Sequence, residues 1–107
     1  MSPRRVVLVE LAENPDAVRL ARLLRDDGFE VVHVGLLTTA EQILLTVEQE
    51  DPDALGVVGA QPPSGLADAL GEVHLFVLGA GETPEEAAKA LLGGRSHTLG
   101  TPSDRAR

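Results

Sequence analysis

The sequence predicts an α/β domain whose parallel sheet is covered by helices. Apolar runs of strand length alternate with stretches of helical periodicity along most of the chain. Those runs are built from Val, Leu, Ile and Ala, with two Phe and no Tyr or Trp, and branched aliphatics suit strands buried on both faces. Glycine, proline and capping residues stand between the runs, where turns and helix starts are needed.

At 107 residues the chain is expected to form one domain, residues 1–102, followed by a flexible polar tail, residues 103–107. Its formal charge is −8, from 17 acidic and nine basic residues, and its only lysine is Lys89. An acidic surface repels phosphate backbones, so a nucleic-acid partner is not expected. Cysteine is absent, which removes disulfides, thiolate nucleophiles and Cys-ligated metals. No apolar run approaches the roughly 20 residues that span a bilayer. The first apolar run is short for a signal sequence and ends in Glu10. A cytoplasmic protein with no membrane partner is expected.

Residues 5–11, RVVLVEL, read as a central buried strand. Asn14 is a helix cap, with Pro15 at the first helical position and Asp16 complementing the helix dipole. Ala17, Leu20, Ala21 and Leu24 fall at helical spacing and give the buried stripe, while Arg19, Arg22 and Arg25 face water. Gly28 ends the helix near residue 27, and Phe29 packs back on it. Residues 30–34 form a second strand whose mixed polarity suits an edge. Thr39 and Gln42 have the spacing of a capping box for a helix over residues 40–50, with Ile43, Leu44 and Val47 on one face. Residues 54–58 form the third strand.

Beyond Gly59 the pattern loosens. Pro62, Pro63 and Gly65 make a stiff loop, with at most a short helix over residues 66–70. This side of the sheet is expected to be trimmed, leaving apolar surface for a partner or a second copy near residues 60–72. Residues 73–78 form the fourth strand. Thr83-Pro84-Glu85-Glu86 opens a last helix whose Ala87, Ala88, Leu91 and Leu92 face inward, with Gly93-Gly94 as its end. A fifth strand is expected over residues 96–99. Right-handed crossovers then favour a flavodoxin-like (Rossmann-like), doubly wound five-stranded sheet of order 2-1-3-4-5. Ligands of such sheets bind beyond the carboxyl ends of the strands, here residues 11–14, 35–38, 59–63, 79–82 and 100–102.

Arg25, Asp26, Gly28, Phe29, Glu30 and Val31, followed by Gly35, Leu36, Thr39, Glu41, Gln42 and Ile43, resemble the cobalamin-binding domain of methylmalonyl-CoA mutase and its relatives. The segment FVLGAGETPEEAAKALL resembles that family's strand, Gly-rich turn and last helix. In the family an Asp-x-His-x-x-Gly motif follows the first strand, and its His is the lower axial ligand of cobalt. The Asp, His and Gly positions fall here on Leu11, Glu13 and Asp16, and a later Ser-x-Leu motif falls on Val58 and Ala60. The resemblance leaves Gly59, Gly79 and Gly81 as cofactor-binding candidates, with Glu13 in the place of the His. It implies no metal ligand and no catalytic residue. A carboxylate at Glu13 is a weaker partner for cobalt than imidazole. Asp16 adds a side chain where the family keeps a Gly, and with Glu13, Glu82, Glu85 and Glu86 it is expected to make the mouth of the slot negative.

Other chemistry is thin. His33, His74 and His97 are read as ordinary edge or surface histidines that the topology separates. Glu10, Glu13 and Asp16 gather at the first strand's end as in a phosphoacceptor domain. Yet the third strand ends Val58-Gly59 without an acid, and no Lys lies near Thr101. Gly79-Ala80-Gly81 could cradle a phosphate, but Glu82, Glu85 and Glu86 follow directly, which favours a plain turn. Ser64 lacks a His and an acid beside it. The expected function is therefore a non-catalytic, degenerate cobalamin-binding-like domain, an accessory or regulatory subunit working through protein–protein contacts with an enzyme of the acyl-CoA mutase type, and no cofactor of its own. The alternative is a cobalamin carrier, the small subunit of a cobalamin-dependent acyl-CoA mutase (an isomerase) that holds the cofactor without a protein His ligand. A stand-alone enzyme finds no residues to support it.

Overall fold

The structure, a computed structural model, describes residues 4–79 and 81–99, with side chains through Leu91. The elements follow as β1 (Arg5–Glu10), α1 (Asp16–Asp26), β2 (Glu30–Leu36), α2 (Ala40–Glu50), β3 (Ala54–Val58), α3 (Leu66–Leu70), β4 (His74–Leu78) and α4 (Pro84–Leu99). The four strands form one parallel sheet of order β2-β1-β3-β4. Each crossover of a parallel sheet needs a covering segment, which the alternating pattern supplies.

Val6, Val7, Leu8 and Val9 of β1 are fully buried, as are Leu55, Val57 and Val58 of β3. Alternation sends Val6 and Leu8 to one face and Val7 and Val9 to the other. The first face packs on α1 and α4 through Leu20, Leu24, Ala87 and Leu91. The second packs on α2 and α3 through Ile43, Val47, Leu66 and Leu70. All four stripe residues of α1 are buried, and burying a Leu such as Leu20 or Leu24 contributes about 1.5–3 kcal/mol.

The caps behave as their residue types require. Asn14 accepts the Asp16 amide with Oδ1 at 2.8 Å, and its carbonyl accepts the Ala17 amide at 3.1 Å. Pro15 already has helical dihedrals (φ −63, ψ −20), so Asn14 is the working cap although the regular helix begins at Asp16. Thr39 and Gln42 form the expected capping box, with the Gln42 amide bonded to the Thr39 hydroxyl at 3.2 Å. A second box joins Thr83 and Glu86 at the start of α4. Phe29 is buried in the α1 core, and its amide donates to the Leu24 carbonyl at 3.0 Å.

The fifth strand is where expectation and structure part. Residues 96–99 continue α4 as helix, so the described sheet has four strands. Gly93-Gly94 is the stop that the sequence suggests. Glycine permits a helix to end but does not force it, costing about 1 kcal/mol per residue in a helix interior. With no proline between Pro84 and Pro102, the helix runs through both glycines. Residues 100–102 and the expected tail, residues 103–107, lie outside the described residues. The short α3 and the trimmed crossover are present as expected.

Outside the core, Arg5 binds the Glu30 carboxylate at 3.1 Å and the Glu50 carbonyl at 2.7 Å, tying the start of β1 to β2 and α2. Arg19 is not a free surface cation. It pairs with Glu85 and links α1 to α4. The Arg19 guanidinium, with help from Glu85's own backbone amide, holds the Glu85 carboxyl below its usual range. A carboxyl depressed in the folded state stabilises the fold above its unfolded pKa, and that stability is lost as pH falls through the folded value. The Glu85→Gln variant should therefore be slightly less stable than wild type at neutral pH. In thermal unfolding the gap should close at acid pH, and also at about 1 M salt, where the pair is screened.

Candidate functional site at the carboxyl edge of the sheet

The chain enters β1, then β2 to one side and β3 to the other, so the order reverses between β1 and β3 at the carboxyl edge. That is the place where doubly wound sheets open a crevice. A cleft of about 310 Å³ lies there, lined by Asn14 after β1, Gly59, Ala60 and Gln61 after β3, and Leu78 and Gly79 at the end of β4. Two of the three expected cofactor glycines, Gly59 and Gly79, thus line one cleft. Gly81 does not line it and forms the turn that follows, with φ +85.

Gly59 is required by its backbone. Its φ is +102, and a Cβ would stand 2.5 Å from the carbonyl oxygen of Ala12 and 3.0 Å from its nitrogen. The segments after β1 and β3 therefore cross in direct contact, which only a glycine allows. Backbone bonds continue the ladder up to this crossing: the Leu11 amide reaches the Val58 carbonyl at 2.9 Å, and the Leu37 amide reaches the Glu10 carbonyl at 2.9 Å.

The turn after β4 already holds an anion of its own. The Glu82 carboxylate accepts the Gly79 amide at 2.8 Å. A phosphate cradle at this turn would need that amide, and an internal carboxylate takes it. Glu86 is likewise committed, to the Thr83 amide, and Glu85 is held by Arg19. Of the five acids expected to make the mouth of the slot negative, Glu82, Glu85 and Glu86 therefore have partners within the fold. Neither Glu13 nor Asp16 lines the cleft, and Glu13 is exposed. The cleft lining offers amide groups and backbone with an apolar floor at Leu78. Among the described residues that line it there is no titratable side chain, so this lining can form hydrogen bonds but supplies no acid or base.

Sequence reasoning missed one pair. The Nε2 of His33 lies 2.8 Å from Oε2 of Glu10, and the Asn14 amide donates to Oε1 of the same carboxylate at 3.1 Å. These side chains are only 21% and 14% exposed, so the two form a largely buried pair and His33 is not a bare edge histidine. The signal lay in the strand register. Leu8 pairs with His33 and Val9 with Gly35, a bulge that leaves Val34 unmatched and turns the end of β2. Alternation places Glu10 and His33 on one face. His74 stacks on Phe76 with ring centroids 6.4 Å apart at the opposite, amino end of β4, away from the His33 and Glu10 pair, and residue 97 falls in α4 and not at the start of a fifth strand. Among the described residues no group of three or more His, Asp or Glu could hold a metal ion. No helix among them is long and apolar enough to cross a membrane.

Replacing Gly59 by Ala should destabilise the protein by about 1–3 kcal/mol, because a left-handed φ and a backbone clash coincide there. Denaturant unfolding measures the loss. Gly79→Ala should cost much less, since its Cβ would meet only the Glu82 carboxylate, at 3.4 Å.

No family model matches the chain. It is similar to the small subunit of 2-hydroxyisobutanoyl-CoA mutase from Aquincola tertiaricarbonis, with 39% identity over 80 residues. The match takes in 67% of this chain and 59% of that protein, so the chain spans less than two thirds of the length of the curated relative it matches.

Proposed function

We propose that this chain is a small, non-catalytic subunit of an acyl-CoA mutase-type assembly, working through protein contacts, in which cobalt ligation by the loop after β1 has been lost. The similarity to a mutase small subunit supports the subunit role. The observation that carries the loss of ligation is the carboxyl edge itself. Where the resemblance puts an imidazole, Glu13 is an exposed carboxylate, and the Leu11 side chain in the place of its orienting acid joins the α2/α3 core. A lone exposed carboxylate is a poor lower ligand for cobalt beside an oriented imidazole. The residues present therefore do not fit a histidine-ligated cobalamin, and no chemical step is routed through it.

A second reading, a carrier that holds cobalamin without a protein imidazole, is favoured by the cleft of about 310 Å³ at the same edge. The two readings separate by titration with cobalamin. On the leading reading the purified protein is colourless and the corrin spectrum does not change when protein is added. The triple change Leu11→Asp, Glu13→His, Asp16→Gly should then increase cobalamin affinity in equilibrium dialysis, by roughly tenfold or more if the imidazole reaches cobalt. Stoichiometric co-purification of cobalamin, or wild-type affinity equal to that of the triple variant, would replace the leading reading by the carrier.

A further inference from the structure

The two faces of the sheet are covered unequally. On the α1/α4 face only Leu23 and Phe76, among the described side chains, are left partly buried around the core. On the α2/α3 face many more remain so, among them Leu44, Val73, Leu75 and Val77. The cause is length. At 1.5 Å per residue the five residues of α3 extend about 7.5 Å, too short to roof β4. On the same face an open groove of about 490 Å³ lies between α2 and α3, with Leu44, Leu45, Val47 and Leu70 along it and Glu41 and Glu48 on its rim. Leu45 is 55% exposed, unusual for a leucine in the middle of a helix.

The rim identifies what would fill this groove. Glu41 and Glu48 are seven residues apart, two turns along one side of α2, or about 10 Å. Neither carboxylate has an ion-pair partner among the described residues, and no basic side chain lines the groove. An apolar strip between two carboxylates at that spacing complements a helix that carries an apolar row and two cations two turns apart. A second copy of this chain, at net charge −8, brings mainly further acid.

We propose that the α2/α3 groove receives an amphipathic helix of a partner protein, whose apolar row covers Leu44, Leu45 and Leu70 and whose paired Arg or Lys residues meet Glu41 and Glu48. Apolar burial provides the affinity in such helix-in-groove contacts, and the exposed charges set register and choice of partner. The inference goes beyond the mutase reading and stands on the α2/α3 face alone.

The test uses the full chain and a synthetic helical peptide of about 15 residues with a leucine row and two arginines seven positions apart. A control peptide carries glutamates in their place. Calorimetric titration should show the arginine peptide binding roughly tenfold or more tighter than the control. The double variant Glu41→Arg, Glu48→Arg should invert that preference, and Leu45→Ser should weaken the arginine peptide by roughly tenfold. Circular dichroism checks that both variants remain folded. The proposal is overturned if the arginine peptide does not bind, if both peptides bind wild type equally, or if the preference survives charge reversal. It is also overturned if sedimentation shows a wild-type dimer that Leu45→Ser dissolves, since a second copy would then occupy the groove.

Discussion

The structure depends on the burial of β1 and β3 from both sides. Val6 to Val9 and Leu55 to Val58 have side chains pointing to both faces, and almost none of that surface reaches water. Two layers of helix must therefore be held in place at once. A parallel ladder enforces this, because every return to the amino edge needs a crossover, and right-handed crossovers place successive helices according to the strand order. Gly56, at the middle of β3, shows how closely the layers meet. A Cβ there would stand 2.5 Å from Leu8 and 2.6 Å from the Phe76 ring, so the central pair has no spare volume on that face.

The same constraint shapes the carboxyl edge. The ladder brings the ends of β1 and β3 so close that the loops beyond them touch, and Gly59 allows the contact with Ala12. What could have been a wide crevice becomes a modest cleft with amide and backbone lining. Polar groups nearby are turned inward: Glu82 onto Gly79, Glu86 onto Thr83, and Glu10 onto both His33 and the Asn14 amide. These carboxylates satisfy the backbone amides that helix starts and turns leave without partners, so they stabilise the edge instead of serving a ligand.

The two faces then differ in character. On one, α1 and α4 close the core and are tied together by Arg19 and Glu85. On the other, α2 is long enough but α3 is a single turn and a half, and β4 keeps a partly uncovered apolar row. Both proposals about the chain follow from these contrasts: an edge poor in reactive groups, and a face rich in unroofed apolar ones.

Much of this was legible in residue order. The helix stripe of α1, the Thr39–Gln42 box, the bounds of α2, β3 and α3, and the strand order through β4 follow from periodicity, caps and crossover handedness, which are local or combinatorial properties of the chain. The continuation of α4 through residues 93–94 was not legible, because a glycine pair permits both continuation and termination of a helix. The state of the carboxylates was not legible either. Glu10, Glu82 and Glu85 look alike in sequence as solvated acids, and their partners His33, Gly79 and Arg19 are fixed by a strand bulge, a turn and a helix–helix contact. By itself the sequence determined which segments are helix or strand and which faces are apolar, since those depend on neighbours a few residues away. The tertiary structure alone decided which charges are paired, how wide the cleft is and which face stays open, because these depend on distances between residues far apart in the chain.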